Sequence, residues 1–458
     1  MRATHSAAVI SILALSALAP EAHASTLTLD QTLSLVYQNN PALAAARAKL
    51  RATDELVAQA MGGWRPTLSA TADDGTSRQS MSGNGTAPVS KSLNTRDVSV
   101  NFKQPLFSGF KTVSGVRSAR DTVLAQQASL RDTEQQIFLD AAKAYLGVVE
   151  AQNILKLDRQ SEHVLWKRLK EVKDRVRIQD LSKTDLAQAR SRLESARVAR
   201  LQAERQLSDS RQTFKQIVGE MPGVLKMPRP DYAVPKTQND AITLAMRYNP
   251  SVIAARYQQH AARENITSAE GNMLPSLDLV GNASRQLDQS PIAPAQSNNA
   301  TIEVRLTVPL YGAGVNYSKA REAEDTAQQK QMQLADANNK VMEQTANAWQ
   351  AYQTAREARR GDQSLVRAED TAYKGVELEE KYGSRTTLDV LNAEQERLNA
   401  KISLARASHD EILALMQLKA ATGKLTASAL NLPVKKYDPN KYYRKVRGKW
   451  FGLATAKE

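Results

Sequence analysis

The chain is written twice, and this constrains its fold more than any other feature. "NNPALAAARAKL" from Asn39 is echoed by "YNPSVIAARYQQ" from Tyr248. Pro41 aligns with Pro250, Arg47 with Arg256, Gly62 with Gly271 and Pro66 with Pro275, at one offset of 209. After a five-residue deletion the offset becomes 204 and aligns Pro105 with Pro309, Arg117 with Arg321, Asp185 with Asp389 and Gly219 with Gly423. The register slips only in the turn after Leu106, where Gly109 falls opposite Ala313. Self-similarity over so long a period means one structural unit used twice. The expected units are 25–220 and 248–424, joined by a linker at 221–247 and followed by a basic segment at 425–458.

Each unit opens with Asn-Pro, which reads as an N-cap with proline at the first helical position. Helices 43–62 and 250–271 are expected from Asn40 and Asn249. Alternating stretches follow, at 66–74 and 97–106 in the first unit and at 275–285 and 300–309 in the second. In "TIEVRLTVPLYGAG", Ile302, Val304, Leu306 and Val308 alternate with Thr301, Glu303, Arg305 and Thr307. Val98, Val100 and Phe102 alternate likewise with Ser99, Asn101 and Lys103. A period of two marks a strand with one apolar and one wet face. The stretches between the strands, 73–94 and 288–300, are rich in Gly, Ser, Asn and Pro and are expected as loops.

No proline occurs between Pro105 and Pro222, or between Pro309 and Pro433. Long helices are expected over 111–178 and 316–381. Each ends at a break, near Asp180 or Gly383, before further helices at 184–220 and 386–422. A helix of roughly 68 residues is about 100 Å long, which no compact domain needs. In the last helix Leu391, Leu398, Ala405 and Ile412 recur every seven residues, a coiled-coil seam. Ala393, Ala400, Ala407 and Ala414 recur likewise, about 200° around the helix. Two seams on nearly opposite faces give a helix neighbours on both sides, and a ring of such helices closes into a tube.

The N-terminus carries Arg2, an apolar run from Ala7 to Ala19, and Ala22-His23-Ala24. This is the pattern of a secretory leader, expected at 1–24, and its apolar run is too short to span a membrane. Strands of about ten tilted residues with one apolar face do span a bilayer. Four of them cannot close a barrel, and open edges are not tolerated in lipid, so copies of the chain are expected to share one barrel. Two copies give eight strands, whose lumen side chains largely fill; three give twelve, enough for a passage. Glu303, Arg305 and Lys103 are then expected to face the lumen and Val304 and Leu306 the lipid. Trp64, Phe107, Phe110 and Tyr311 would form an aromatic girdle. The alternative is a soluble β-layer beside a coiled coil, a periplasmic structural protein without channel activity.

Composition excludes several other functions. There is no cysteine, hence no disulfide, no thiolate metal site and no lipid anchor on an N-terminal cysteine. Five histidines occur, two in the leader, while His163, His260 and His409 lie far apart. The phosphate-binding, dinucleotide-binding and H-E-x-x-H zinc signatures are all missing. No catalytic residue, metal site or cofactor is expected. The net charge of +14 does not point to nucleic acid in an exported chain. Much of it lies at Lys435, Lys436, Lys441, Arg444, Lys445, Arg447, Lys449 and Lys457, against only Asp438 and Glu458. A flexible, solvated tail is the expectation there.

The duplicated unit, the paired Asn-Pro starts, "QPLFSGFKT" with its echo "VPLYGAGVN", and "YGSRTTLDVLNAE" followed by "LKAATGKL" together resemble the TolC family of outer-membrane channels. The resemblance covers essentially the whole mature chain. The final "YDPNKYYRKVRGKWFGL" also looks like the tail of members serving type I secretion. What the resemblance implies is a membrane β-barrel fused to an all-α coiled-coil tunnel. It implies a homotrimer with twelve strands in outer-membrane lipid and twelve helices in the periplasm. Such a duct serves efflux or type I secretion, joined by a periplasmic adaptor to an inner-membrane ABC or proton-driven transporter.

The resemblance also implies an iris-like gate at the periplasmic tip. The family motif there, G-T-R-T-x-x-D-V-L-D, is matched by Gly383, Ser384 (a conservative change), Arg385, Thr386, Asp389, Val390 and Leu391, while Asn392 replaces the second acidic residue. One carboxylate ring, from Asp389, is therefore implied instead of two. Arg385 is implied to link across to Thr184 and Asp185 of the first unit. Leu181, Ser182, Gly383 and Ser384 would form the adaptor-docking tip. The first unit lacks the family's glycine before its Thr-Asp pair. From the residues alone, Ser182-x-x-Asp185 and Thr386-x-x-Asp389 also read as capping boxes that restart a helix.

Overall fold

A computed structural model of the chain describes residues 27–81, 89–228, 233–287 and 296–453; the expected leader lies outside the described residues. In chain order the elements are α1 (Leu29–Asn39), α2 (Pro41–Met61), β1 (Thr67–Met81), β2 (Val89–Phe107), α3 (Lys111–Arg177) and α4 (Lys183–Val218). They continue with α5 (Gln238–Tyr248), α6 (Pro250–Glu270), β3 (Ser276–Leu287), β4 (Gln296–Thr307), α7 (Val315–Lys381), α8 (Thr387–Ala421) and α9 (Asn440–Val446).

The side chains of Asn40 and Asn249 cap α2 and α6, accepting from the Ala42 and Leu43 amides and from the Ser251 amide, with proline at the first helical position. Each unit starts earlier than these asparagines. Capping boxes at Thr28–Gln31 and Thr237–Asp240 open α1 and α5, again 209 residues apart. The expected linker 221–247 thus ends in a helix of the second unit. Its signature is hidden because Asn40 and Asn249 each end one helix and start the next.

The long helices α3 and α7 have 67 residues each, about 100 Å at 1.5 Å per residue. Side by side, the rods run in the order α2 with α4, then α3, then α6 with α8, then α7. The sheet at one end of the rods is antiparallel and ordered β1-β2-β3-β4. Both layers therefore follow chain order and both have two open edges. At mid-length the main core joins Leu33 and Val36 of α1, Phe138, Tyr145 and Leu146 of α3, Phe214 of α4 and Met416 of α8. The Tyr145 hydroxyl donates toward the carbonyls of Leu27 (3.1 Å) and Lys226 (2.8 Å) and so ties both flanking segments to α3.

Two expectations need correction. Strands β1 and β2 run well into the polar stretch read as a loop; their outer parts pair Thr76 with Asn94 and Gln79 with Lys91. Alternation is lost there because both faces are polar, not because pairing stops. The basic C-terminal segment is not a free tail. Leu425, Ala427, Leu430 and Leu432 enter the main core. The Tyr437 amide donates to the Tyr37 hydroxyl (3.0 Å) and the Tyr442 hydroxyl to Glu55 (2.7 Å). The cations from Lys435 onward set the expectation, although the anchoring stretch 425–434 ahead of them carries no charge.

The two units keep their backbone where they have exchanged residues. Gln179 takes a left-handed φ of 64° where the second unit has Gly383 at 77°. At the foot of the sheet the units meet at a close approach of Gly109 to Gly271. A Cβ on Gly271 would overlap the Gly109 carbonyl oxygen, whereas one on Gly62, the equivalent of Gly271 in the first unit, would meet nothing within 4 Å. Gly271→Ala is expected to destabilise the chain by about 1–3 kcal/mol, while Gly62→Ala is neutral or slightly stabilising. Thermal unfolding of the two variants in the same detergent checks this; equal losses would remove the contact from consideration.

Candidate channel wall and gate

Cross-strand partners share a face of a sheet, so the register sorts every side chain. One face carries the rows Leu68–Phe102–Gly281–Ile302 and Ala70–Val100–Ala283–Ala300, with the pairs Leu279–Val304 and Leu277–Leu306. The other carries Ser69–Asn101–Asn282–Thr301 and Thr71–Ser99–Ser284–Asn299, with Glu303 and Arg305 on β4. The polar face is laced by hydrogen bonds and ion pairs. Lys103 pairs with Asp278 at 3.0 Å, Asn282 donates to Asn101 at 2.9 Å, and the Thr71 and Ser99 hydroxyls meet at 2.8 Å. Arg305 pairs with Glu303 on its own strand.

Exposure departs from the order of a soluble sheet. Ile302 is 75% exposed, Leu68 72% and Val304 61%, while Ser99 and Asp278 are buried. Aliphatic side chains are left bare on one face, and the polar face opposite is buried at Ser99 and Asp278 and exposed at Asn101, Lys103, Glu303 and Arg305. From Leu306 to Ala300 the apolar band is about 20 Å long at the rise of a strand, and on the same face it gives way to Arg285 and Arg96. Large contiguous apolar surface calls for a covering phase. Among the described residues no helix is long and apolar enough to cross a membrane.

The opposite end of the rods holds the two breaks. Both capping boxes form: Asp185 accepts from the Ser182 amide (3.0 Å) and hydroxyl (2.6 Å), and Asp389 from the Thr386 amide (2.9 Å) and hydroxyl (2.8 Å). Hydrogen bonds from Thr386 hold the Asp389 carboxyl below its ordinary value of 3.8, and those from Ser182 do the same for Asp185. Thr184 is exposed on the first turn of α4, and Gly383 and Ser384 lie on an exposed turn. Ser182 is exposed too, but Leu181 packs onto a small core of Leu165, Val172, Ala189, Leu193 and Leu391.

The implied link from Arg385 to Thr184 and Asp185 is not formed within the chain. Arg385 bonds Glu379 at the end of its own long helix, 3.0 Å away across the tight turn. The two hairpins are joined instead through Glu380. Its carboxylate, only 3% exposed, pairs with Arg175 at 2.7 Å and Arg168 at 3.5 Å, both on α3. Arg168 and Arg175 are seven residues apart, two turns along one face, but nothing in the sequence singles out Glu380 as their partner. Asn392 has a positive role as well: its side-chain oxygen accepts from Arg192 of α4 at 2.8 Å.

A carboxylate with a depressed folded-state pKa contributes stability above its unfolded value and loses it as pH falls through the folded one. The α8 start is therefore expected to hold at neutral pH and to loosen below about pH 4. Asp389→Asn is expected to speed amide exchange in the first turn of α8 at neutral pH and to abolish its acid sensitivity. Exchange mass spectrometry of tip peptides reads both effects; an unaltered pH profile would place the sensitivity elsewhere.

Comparison with known proteins assigns this architecture. The family model described as outer membrane efflux protein matches residues 32–220 and 241–424. The outer membrane efflux protein BepC of Brucella suis biovar 1 is 31% identical over 428 residues, covering 93% of this chain and 92% of that protein. The outer membrane protein TolC of Vibrio cholerae is 27% identical, covering 85% of this chain and 89% of that protein. Among solved structures, the outer membrane protein VceC of Vibrio cholerae superposes with a TM-score of 0.75 at 18% identity, covering 86% of this chain and 96% of that one. The family consists of transport components, not enzymes. The apolar strand face, the polar face opposite and the paired 67-residue helices belong to an outer-membrane channel of a Gram-negative bacterium with a long helical extension into the periplasm. The chain belongs to the outer membrane efflux protein family.

Proposed function

We propose that three copies of the chain form one passive exit duct, a twelve-strand barrel continued by a twelve-helix tunnel. The observation that carries this reading is the sheet with a bare aliphatic face and two unpaired edges. An open edge in lipid leaves backbone groups without partners, at a cost of several kcal/mol each. The helical layer supports the same stoichiometry: α7 buries only Ala327, Val341, Thr345, Tyr373 and Glu380 among its described residues, against two dozen in α3, which is flanked on both sides. An edge helix that long needs a neighbour, and a second copy's α4 supplies one. Eight strands would fill with their own side chains; twelve leave a bore.

In this reading Glu303, Arg305 and Lys103 face the water-filled bore. The tip docks a periplasmic adaptor through its exposed turns, and an inner-membrane ABC or proton-driven transporter supplies the work. The name of the Brucella relative favours efflux, and the polar bore suits secreted protein equally well. The tip is an iris gate. Its closing link is the Glu380 cluster rather than Arg385, and Asp389 supplies a ring of three carboxylates at the constriction, flanked by Asn392.

A barrel wall has a lipid side and a water side. Val304→Arg should cost roughly 2–4 kcal/mol per copy and reduce trimer yield in outer-membrane extracts, whereas Thr301→Arg, on the wet face, should assemble normally. Equal yields would reject the orientation. A periplasmic coiled-coil protein would show neither trimers in that fraction nor conductance in planar bilayers.

The gate is tested by Glu380→Gln, which removes the shared partner of Arg168 and Arg175 and leaves them only Glu171 and Asp180 on their own hairpin. Breaking a buried ion pair costs roughly 3–5 kcal/mol, enough to move a closed tip to a largely open population. Single-channel conductance should rise, while Arg385→Ser conducts like the parent. The reverse pattern would return the gate to Arg385.

A further inference from the structure

The C-terminal strap does not end in the main core. From Leu432 it climbs along α2, with the Asn440 side chain bonded to Gln127 (3.0 Å), and reaches the foot of the sheet. There the Arg65 guanidinium donates to the Lys449 carbonyl oxygen at 2.7 Å and stacks over the Trp450 ring at 5.0 Å. Arg65 stands just ahead of β1, so Trp450 is fixed at the level where the strands meet the helices. Trp450 is 59% exposed, Phe451 86% and Leu453 fully. Trp64, next to Arg65, is 45% exposed. Immediately before this apolar tip, α9 and the turn after it carry Lys441, Arg444, Lys445 and Arg447, against Asp438, bonded to Arg444 at 2.6 Å, and Glu55 of α2, bonded to Tyr442.

Two features at one height thus point to one partner. Tryptophan and phenylalanine prefer the membrane–water boundary, and a cluster of lysine and arginine beside them is attracted to anionic headgroups. We propose that residues 441–453 form a second membrane contact of the chain, an interfacial foot that sits on anionic phospholipid of the periplasmic leaflet beside the barrel. Trp450, Phe451 and Leu453 enter the headgroup boundary, and the cations of α9 hold phosphate groups below it. This foot is a non-covalent contact that fixes the junction of strands and helices to the membrane. It rests on the reading that the outer face of the sheet meets lipid.

The test uses the full-length protein reconstituted into bilayers. Trp64→Phe, Trp166→Phe and Trp349→Phe together leave Trp450 as the sole tryptophan of the four in the sequence. Emission is compared in ordinary phosphatidylcholine and in phosphatidylcholine brominated near the headgroup, each with and without phosphatidylglycerol. Trp450 is expected to be quenched by brominated lipid, and more so with phosphatidylglycerol. Lys445→Gln with Arg447→Gln should weaken the anionic contribution, by roughly fivefold per charge removed, and high salt should do the same. A second reporter, Val304→Trp with Trp450→Phe added to the other three changes, reads the sheet. Quenching of the Val304→Trp reporter but not of Trp450 overturns the foot and leaves the barrel standing, whether Trp450 emits as a solvated ring or as one buried against another copy. No quenching of either reporter removes the barrel reading and the foot with it. Quenching of Trp450 that ignores phosphatidylglycerol overturns the anionic specificity.

Discussion

A backbone amide or carbonyl in hydrocarbon has no water to turn to, so a sheet placed there must pair every strand. The rest of this architecture follows from that requirement. The chain brings four strands and therefore two unsatisfied edges, which no side chain can repair. In the proposed assembly closure comes from further copies, and the helices inherit the same demand because they are ordered like the strands above them. The polar face satisfies its own groups through hydrogen bonds and ion pairs while the apolar face is bare. In water this would be a misfolded sheet; against lipid it is an ordinary one.

Much of this was legible in the sequence because duplication and alternation are periodic signals. An offset of 209 and then 204 fixes the equivalent elements, and Val304 beside Arg305 declares two faces. What stayed hidden was aperiodic. Helices α1 and α5 are only 11 residues long and run straight into an Asn-Pro that reads as a beginning. The strap from Leu425 onward was concealed by the cations that follow it and by its own irregularity: the apolar residues that anchor it have no regular spacing and find their partners far away in α1 and α3.

The tip shows most clearly what spacing can and cannot reveal. Capping boxes are local, and Ser182–Asp185 and Thr386–Asp389 could be read three residues apart. The link between hairpins joins residues about two hundred positions apart, and a family motif pointed to Arg385 when the structure uses Glu380. Glu380 is one of many glutamates on a charged helix; only the approach of α3 makes it buried and doubly paired. Asn392 departs from the acidic pattern because here it faces Arg192 as a neutral acceptor. That exchange leaves the surrounding cations of α4 without an opposing carboxylate at this position and makes the Glu380 cluster the stronger tie.

The two breaks have the same backbone but not the same residue. Gln179 carries a Cβ in the left-handed region, where the allowed basin is narrow, whereas Gly383 sits in a broad one. The hairpins therefore differ in stiffness although their shapes agree. In the proposed ring of three chains, stiffer and more compliant hairpins would alternate around the opening. Such a ring would be sixfold in outline and threefold in mechanics, so that a force applied evenly at the tip would be answered by every second hairpin and the aperture would deform toward a triangle.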